Sequence, residues 1–194
     1  IMSYIGGILP DININSVNHK SEEEIFNFSN NNIKTLLFWY PKDFTFVCPT
    51  EIHAFQEKLS EFIKRGYRVI GASCDTIQIH LEWLKTSKKN AGIEGITFPL
   101  ISDPRRTLSK KLKILGKDNV TYRATYLIDE NNLVYYESIN EMSIGRNIDE
   151  LLRIIDAKIH HDLNGEVCPA NWILGKKALK ESTESVKKYF SNLK

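Results

Sequence analysis

The chain has 194 residues, 42% of them hydrophobic and 26% charged, which is typical of a globular domain with a core of normal size. Its formal net charge of +2 is too small to indicate nucleic acid or an anionic membrane as a partner. Three cysteines, an odd number, do not form the disulfide framework of a small secreted protein. No apolar run approaches the ~18 residues of a membrane span, so we expect a soluble protein. The odd number of cysteines favours an intracellular setting with chemically distinct thiols.

Apolar patterning predicts alternating strands and helices in the first two thirds of the chain. A continuous apolar run rich in β-formers indicates a strand covered on both faces, and apolar residues at helical spacing indicate the helices. Gly66 is a natural residue to end the first helix. The predicted elements are, in chain order, a strand from Ile33 to Tyr40, a loop over 41–47, a helix carrying Ile52 to Ile63, a strand over Tyr67–Ser73, a helix over 77–87 with Leu81 and Leu84 on its apolar side, and a short helix over 105–115.

The last third combines a hairpin, a capped helix and a loosely patterned arm. Two apolar stretches, 124–128 and 133–138, are joined by a polar turn and predict the hairpin. Asn147 can cap a helix that has Glu150 at its third position. A final helix is expected around 182–192. The order of elements predicts an α/β sandwich with a mixed sheet. We expect one domain over residues 1–160 and a C-terminal arm over 161–194.

Cys48 lies where the loop over 41–47 meets a helix, with Pro49 directly after it. Proline suits the first turn of a helix, because its missing N–H would be unpaired there anyway. A thiol at a helix N-terminus faces free N–H groups and the positive end of the helix dipole, which favour the thiolate. A buried structural cysteine is the commoner role of a lone cysteine. The spacing Pro-x-x-x-Thr-x-x-Cys, with Thr45 able to offer a hydroxyl to the same pocket, favours a reactive one.

Four segments resemble a known family, the typical 2-Cys peroxiredoxins of the alkyl hydroperoxide reductase C class. Pro41–Glu51 (PKDFTFVCPTE) resembles the peroxidatic loop, and Gly165–Trp172 (GEVCPANW) is similar to the resolving-cysteine segment. Arg123–Asp129 resembles the strand that begins with the active-site arginine, and Ile144–Arg146 resembles the site of a second, supporting arginine. The resemblance covers nearly the whole chain in the right order. It implies a thioredoxin-like fold with a mixed central sheet and an extended C-terminal arm.

The resemblance implies a thiol-dependent peroxidase that reduces hydrogen peroxide and organic hydroperoxides in antioxidant defence. Cys48 would be the peroxidatic nucleophile that becomes a sulfenic acid, and Cys168 the resolving thiol that closes a disulfide with it. Thr45 and Arg123 would hold the peroxide and polarise its O–O bond, with Pro41 shielding the pocket.

The remaining implications concern supporting residues and partners. Glu51 and Arg146 would form a network that orients Arg123. In this family the resolving cysteine is normally supplied by the partner subunit of a homodimer, and the dimers often assemble into rings such as decamers. Thioredoxin would regenerate both thiols by exchange. Neither a cofactor nor a metal is implied.

Several other residues are expected to have structural roles. Cys74 matches no family motif and is expected to be a buried spectator. His53 could pair with a thiol, but a structural or surface histidine is the expected role. The adjacent His160 and His161 lack the usual spacing of metal ligands. Trp83 resembles a family tryptophan near the pocket, and core packing alone would explain it equally well.

Two segments bear on over-oxidation of the peroxidatic cysteine. Many eukaryotic members carry a Gly-Gly-Leu-Gly loop and a C-terminal Tyr-Phe pair, which slow disulfide formation. Here Tyr189–Phe190 matches the pair, whereas Ala91–Glu94 (AGIE) matches the loop only in part. We therefore expect an intermediate sensitivity to over-oxidation.

Two other functions and the cellular location are left open by the residues. A thiol–disulfide oxidoreductase on the same fold would need Cys-x-x-Cys, but Glu51 stands in the place of its second cysteine. An oligomeric chaperone or redox-relay scaffold remains an alternative, because assembly surfaces leave no motif. The chain lacks a secretory signal pattern. It begins at Ile1 with Met2 behind it, and on this ground we expect an upstream transit peptide and a mitochondrial location, with the cytoplasm as the alternative.

Overall fold

A computed structural model describes residues 3–28 and 32–191 of the chain. Contacts between Cα atoms divide the chain into two compact units, Ile1–Arg146 and Asn147–Lys194. The division expected from the sequence, a domain over 1–160 and an arm over 161–194, stays a prediction. Within the described residues, no helix is both long and apolar enough to span a membrane.

The first unit contains a mixed sheet, which has seven strands among the described residues. The strand order is β2-β1-β5-β4-β3-β6-β7. Strands β3, β4 and β5 run parallel, and every other neighbouring pair is antiparallel. The predicted mixed sheet is therefore confirmed. The strands are β1 (Ile14–Val17), β2 (Glu23–Phe26), β3 (Thr35–Trp39), β4 (Arg68–Ser73), β5 (Leu100–Ser102), β6 (Arg123–Ile128) and β7 (Val134–Asn140).

The helices lie close to the predicted positions. The helix predicted over 105–115 is shorter than expected, because its C-cap Lys113 adopts a left-handed backbone with φ of 56°. Asn147 caps α4 as predicted, and its side chain accepts from the amide of Glu150. The predicted helix end at residue 192 lies outside the described residues. The helices are α1 (Cys48–Lys64), α2 (Ile77–Lys85), α3 (Thr107–Leu112), α4 (Ile148–Asn164) and α5 (Thr183–Ser191), with a 3₁₀ turn at Lys88–Asn90.

The central strand β3 is buried at every position, as its continuous apolar sequence predicts. Leu37 and Trp39 belong to a core cluster with Ile70 of β4 and Tyr126 of β6. Full burial of one large aliphatic side chain contributes roughly 1.5–3 kcal/mol, so this strand is a major source of stability. The site described below is built at the end of this strand.

Three strands and one helix face were not foreseen. Strands β1, β2 and β5 have only three or four residues each, too few for a periodic pattern to stand out. Leu81 and Leu84, which were predicted on the apolar side of α2, are only half-buried. The fully buried residues of this helix are Ile77, His80 and Trp83. A histidine is buried there because both its ring nitrogens have partners, as described below.

Strand pairing brings the functional segments together. The loop over 41–47 leaves the C-terminal end of β3 and leads directly into α1, whose first residue is Cys48. Strand β6 runs antiparallel to β3 with Thr125 opposite Phe38, so the start of β6 lies beside the end of β3. Arg123, the first residue of β6, is thereby placed next to that loop.

Candidate active site

Cys48 begins helix α1 and is completely buried, with 0% of its surface exposed. Pro49 occupies the first turn, as predicted. The carbonyl of Val47 accepts from the amides of Thr50 and Glu51 at 3.0 and 3.3 Å, which closes this turn without a side-chain cap. The sulfur therefore lies beside a helix N-terminus, in surroundings from which water is excluded.

Arg123 is fixed by three contacts in the first unit. Its Nη1 donates to Oε2 of Glu51 at 2.7 Å and lies 3.4 Å from Sγ of Cys48. Its Nε donates to the carbonyl oxygen of Met142 at 2.7 Å. The side chain is only 3% exposed, so the guanidinium has little freedom to turn away from the sulfur.

Glu51 links Arg123 to a second buried arginine. Its Oε1 accepts from the backbone N–H of Arg146 at 2.9 Å, and its Oε2 lies 3.4 Å from Nη1 of Arg146. Nη2 of Arg146 donates to the backbone carbonyls of Trp39 and Ala124. Burial lowers the pKa of Arg146 to about 10, with Glu51 opposing the shift, so the side chain stays protonated at neutral pH. One carboxylate thus stands between two cations.

A cavity of about 440 Å³ opens beside this network. The hydroxyl of Thr45 is half-buried and donates to the carbonyl of Lys42 at 2.8 Å, which leaves its oxygen free to accept from a ligand. The walls are mainly apolar, with Arg123 as a cationic group among them. The lining residues are Pro41, Thr45, Phe46, Val47, Arg123, Glu141, Met142 and Ser143. The structure therefore brings Pro41, Thr45 and Arg123 to one pocket.

The loop over 41–47 is anchored by buried polar groups that the sequence analysis missed. The carboxylate of Asp43 accepts from the hydroxyl of Tyr40 at 2.9 Å and lies 2.6 Å from Nδ1 of His80. The backbone N–H of Asp43 donates to Asp75 at 2.8 Å. Asp43 and His80 are almost fully buried. The one signal in the sequence for the burial of His80 was its position as a polar residue within an apolar face of α2.

The hydrogen bonds of His80 define how its proton is held. Nε2 lies 3.1 Å from the carbonyl oxygen of Ile101, which can only accept, so Nε2 carries a proton. A further proton must then lie between Nδ1 and Asp43. Burial lowers the pKa of His80, but Asp43 outweighs this effect and the net shift is upward. Burial also raises the pKa of Asp43, so both groups favour retaining that shared proton.

Phe44, between Asp43 and Thr45, has a left-handed backbone with φ of 53°. This conformation costs about 1–2 kcal/mol for a residue with a side chain. Its ring packs 5.8 Å from the ring of Trp83, which is fully buried. Trp83 therefore packs against the loop over 41–47 at Phe44, and it also fills the core.

Cys168 lies in the second unit and is half-buried as a free thiol. Its Sγ lies 3.6 Å from the carbonyl oxygen of Ala157 in α4. Burial raises its pKa, with Arg153 opposing the shift. Nη1 of Arg153 donates to the carbonyl of Trp172 at 2.9 Å and so holds the turn that follows Cys168. The sequence analysis did not single out Arg153.

The other cysteine and the paired histidines have local partners. Cys74 is a free thiol, 8% exposed, with its Sγ 3.6 Å from the hydroxyl of Ser109. Burial raises its pKa. In the second unit, Nε2 of His160 lies 2.9 Å from the carboxylate of Glu166, and Nδ1 of His161 lies 2.9 Å from the carbonyl oxygen of the same residue. Among the described residues, no cluster of three potential metal ligands occurs.

Comparison with known proteins identifies the family. Residues 5–137 match the model of the AhpC/TSA family, and residues 160–192 match the C-terminal domain of 1-Cys peroxiredoxin. Alkyl hydroperoxide reductase C of Helicobacter pylori is 40% identical over 185 residues, which cover 94% of this chain and 93% of that protein.

Two solved structures show the same fold. The reduced 2-Cys peroxiredoxin of Plasmodium vivax has a TM-score of 0.95 at 40% identity, with 98% of this chain and 100% of that chain covered. The mitochondrial 2-Cys peroxiredoxin of Plasmodium falciparum has a TM-score of 0.79 at 33% identity, with 85% and 99% covered. The chain therefore belongs to the AhpC/TSA family and has the thioredoxin-like fold of the peroxiredoxins.

Proposed function

We propose that this chain is a thiol-dependent peroxidase in which Cys48 attacks hydrogen peroxide and organic hydroperoxides. The observation that carries the proposal is the 3.4 Å contact between Sγ of Cys48 and Nη1 of Arg123. The same arginine lines a pocket with Thr45 and Pro41. A fixed cation and a hydroxyl therefore line a space that admits a small ligand, and the same cation contacts the sulfur of Cys48.

In the proposed reaction the Cys48 thiolate attacks one oxygen of the hydroperoxide. An S–O bond forms, the O–O bond breaks, and the departing alkoxide or hydroxide takes up a proton. The products are the Cys48 sulfenic acid and an alcohol or water. Arg123 donates to the oxygens on which negative charge develops, and Thr45 accepts from the hydroperoxide O–H. Pro41 shields the sulfur from water.

Positioning has to supply most of the rate enhancement. A free thiol with a pKa of about 8.5 is a few per cent ionised at neutral pH, so complete ionisation gains only about thirtyfold. Enzymes commonly accelerate reactions by at least about 10⁶-fold. The remainder must come from orienting the two oxygens and stabilising the charge that develops between them. The ion pairs of Glu51 with Arg123 and Arg146 are suited to that role because they hold the Arg123 donor in place before the reaction.

We further propose that Cys168 resolves the sulfenic acid. Its thiol condenses with the oxidised Cys48 of a partner subunit, which forms a disulfide and releases water. Thioredoxin then reduces the disulfide by thiol–disulfide exchange. Its half-exposed free thiol supports this role, as do the names of relatives that are called 2-Cys peroxiredoxins. The active form would be a homodimer that can assemble into a decameric ring.

A role in antioxidant defence follows from removal of hydroperoxides. We propose a mitochondrial location, supported by the likeness to the mitochondrial enzyme of Plasmodium falciparum, with the cytoplasm as the alternative. Immunofluorescence of the full-length protein against a mitochondrial marker would decide between the two.

The decisive assay couples peroxide consumption to thioredoxin oxidation. Wild type should turn over repeatedly, Cys48→Ser should be inactive, and Cys168→Ser should consume about one peroxide per chain and then stop with thioredoxin as reductant. On a non-reducing gel, only the wild type should form a dimer linked by disulfides. A Cys48→Ser protein that retained peroxidase activity would refute the proposal. Inactive wild type that suppressed aggregation of a client protein would favour the scaffold alternative.

A further inference from the structure

The cavity beside Cys48 is larger than hydrogen peroxide needs, and most of its wall is apolar. Its volume of about 440 Å³ falls within the roughly 300–1,000 Å³ that is usual for sites of small organic molecules. The apolar side chains of the wall are those of Pro41, Phe46, Val47 and Met142. Phe46 is 94% exposed, so it stands at the mouth of the cavity. The space therefore fits a hydroperoxide that carries an apolar organic group.

Of the described residues that line this cavity, Arg123 and Glu141 carry the charges. The guanidinium of Arg123 is already paired, since it donates to Glu51 at 2.7 Å and lies 3.4 Å from the sulfur of Cys48. Arg146 shares the same carboxylate. Two cations therefore face two anions once Cys48 is a thiolate, and these charges balance. The carboxylate of Glu141 is left as the net charge of the lining.

Glu141 is held at the cavity by its own loop. It directly follows Asn140, the residue of β7 that pairs with Arg123 in the sheet. Its Oε2 accepts from the backbone N–H of Ser143 at 2.8 Å and from the hydroxyl of the same residue. These hydrogen bonds lower the pKa of Glu141, so the side chain is ionised at neutral pH. The side chain is also exposed, so its charge faces an entering ligand.

Met142 anchors the same loop on the arginine. Its carbonyl oxygen accepts from Nε of Arg123 at 2.7 Å. Its terminal methyl group packs over Gly116, where an added Cβ would come within 2.5 Å of that methyl. The loop that carries Glu141 is therefore joined to the arginine that faces the sulfur. The carboxylate keeps a fixed place relative to the reacting atoms.

We propose that Glu141 is a specificity-determining residue, which directs the site toward hydroperoxides with an uncharged apolar group and against those with an anionic group. This role rests on the proposed function, since it concerns the substrate of the same pocket. An organic group that extends along the apolar wall toward the mouth approaches the carboxylate of Glu141. Two like charges about 4 Å apart in water repel by an energy equivalent to about fivefold in a rate constant, and the repulsion weakens with distance.

Two hydroperoxides of matched shape test this role. Cumene hydroperoxide is neutral, and its para-carboxylate derivative is anionic at neutral pH. Each is mixed rapidly with the reduced protein, and intact-mass measurement after quenching gives the second-order rate constant of oxidation. The readout is the ratio of the neutral to the anionic rate constant, taken at about 10 mM and about 1 M salt, where the screening length is about 30 Å and about 3 Å. The ratio at high salt reports the intrinsic reactivity of the two probes.

Three variants separate charge from the shape of the loop. Glu141→Gln removes the charge and keeps an oxygen that can accept from Ser143, whereas Glu141→Lys reverses the charge. Ser143→Ala is the matched control, because it alters the same loop and leaves the carboxylate in place.

In wild type the ratio should be about two- to fivefold higher at low salt than at high salt. In Glu141→Gln the ratios at low and high salt should agree, and in Glu141→Lys the ratio should be smaller at low salt. Ser143→Ala should show the salt dependence of wild type.

Three results would overturn the inference while leaving the proposed function intact. One is a wild-type ratio that does not change with salt, and another is an unaltered salt dependence in Glu141→Gln. The third is an equal loss of salt dependence in Ser143→Ala, which would assign the selectivity to the shape of the loop. Wild type that was oxidised neither by these two probes nor by hydrogen peroxide would instead refute the proposed function, and the inference with it.

Discussion

Glu51 and Arg123 form an ion pair that is almost completely excluded from solvent. Oε2 lies 2.7 Å from Nη1, and each side chain is 3% exposed. A buried pair of this kind adds little net stability, because the desolvation of both charges offsets their attraction. The ion pair instead fixes the direction of the Arg123 guanidinium, which faces Cys48.

Removal of the Glu51 charge should destabilise the fold. Glu51→Gln leaves the guanidinium groups of Arg123 and Arg146 without their shared anion in a buried site. We expect a loss of about 3–5 kcal/mol in the free energy of unfolding, measured by urea denaturation. Glu61→Gln is a suitable control, since Glu61 pairs with Lys64 and Arg65 on the surface and should have a far smaller effect. Equal losses in the two variants would contradict this account.

Arg123→Ala should reduce the rate of peroxide reduction by more than its effect on Cys48 ionisation explains. Loss of one preorganised donor to developing charge typically costs about 10²–10³-fold. Arg123→Lys keeps a charge but loses the forked donor geometry, and it should recover only part of the rate. The check compares second-order rate constants with the thiolate fraction obtained from ultraviolet absorbance. If rate and thiolate fraction fell by the same factor, the proposed role in stabilising the transition state would be wrong.

The Asp43–His80 pair should make stability depend on pH above neutrality. Both pKa values are raised in the folded chain, so the pair retains a proton that an unfolded histidine loses above about pH 6.5. The resulting stabilisation is fully present below that pH and is lost as the pH rises toward the higher folded pKa. Urea denaturation of wild type from about pH 6 to 9 should show a falling free energy of unfolding.

The matched comparison for this pH effect is His80→Gln. Glutamine can still donate to the carbonyl of Ile101, which accepts from Nε2 of His80 at 3.1 Å in the wild type, but it does not titrate. Its stability should be lower at pH 6 and should fall less steeply as the pH rises. Parallel curves for the two proteins would assign the pH dependence to other groups.

Cys74 should take no part in peroxide reduction and should react slowly with alkylating reagents. It is 8% exposed, burial raises its pKa, and its sulfur lies 3.6 Å from the hydroxyl of Ser109. We expect Cys74→Ala to retain the wild-type rate of peroxide reduction. Peptide mapping after a short treatment with iodoacetamide at neutral pH should show Cys168 labelled well before Cys74. Rapid labelling of Cys74 would show that its surroundings open more readily than the fold indicates.

Sequence reasoning located the segments of this site because their signals are local. The apolar run of β3, the proline after Cys48 and the spacing from Pro41 to Cys48 each follow from neighbouring residues. The structure brings Pro41, Thr45 and Arg123 to one pocket. Their catalytic roles rest on the family resemblance and stay predictions.

The contacts that were missed depend on residues distant in the chain. His80 is buried only because Asp43 and the carbonyl of Ile101 satisfy its ring, and no pattern within α2 encodes those partners. His53 was taken as a structural or surface residue, which was reasonable without knowing that Gly92 lies 3.0 Å away. The short strands β1, β2 and β5 likewise depend on sheet partners for their existence.

The loop between β3 and α1 is held unequally at its two ends. At Asp43 it is fastened to Tyr40, Asp75 and His80, whereas Val47 caps α1 without a side-chain hydrogen bond. The two ends should therefore belong to different cooperative unfolding units, with slower amide exchange near Asp43 than in the first turn of α1. Movement of Cys48 with the first turn of α1 should therefore leave the Asp43 end of the loop folded, and that end can guide the turn back to its original position.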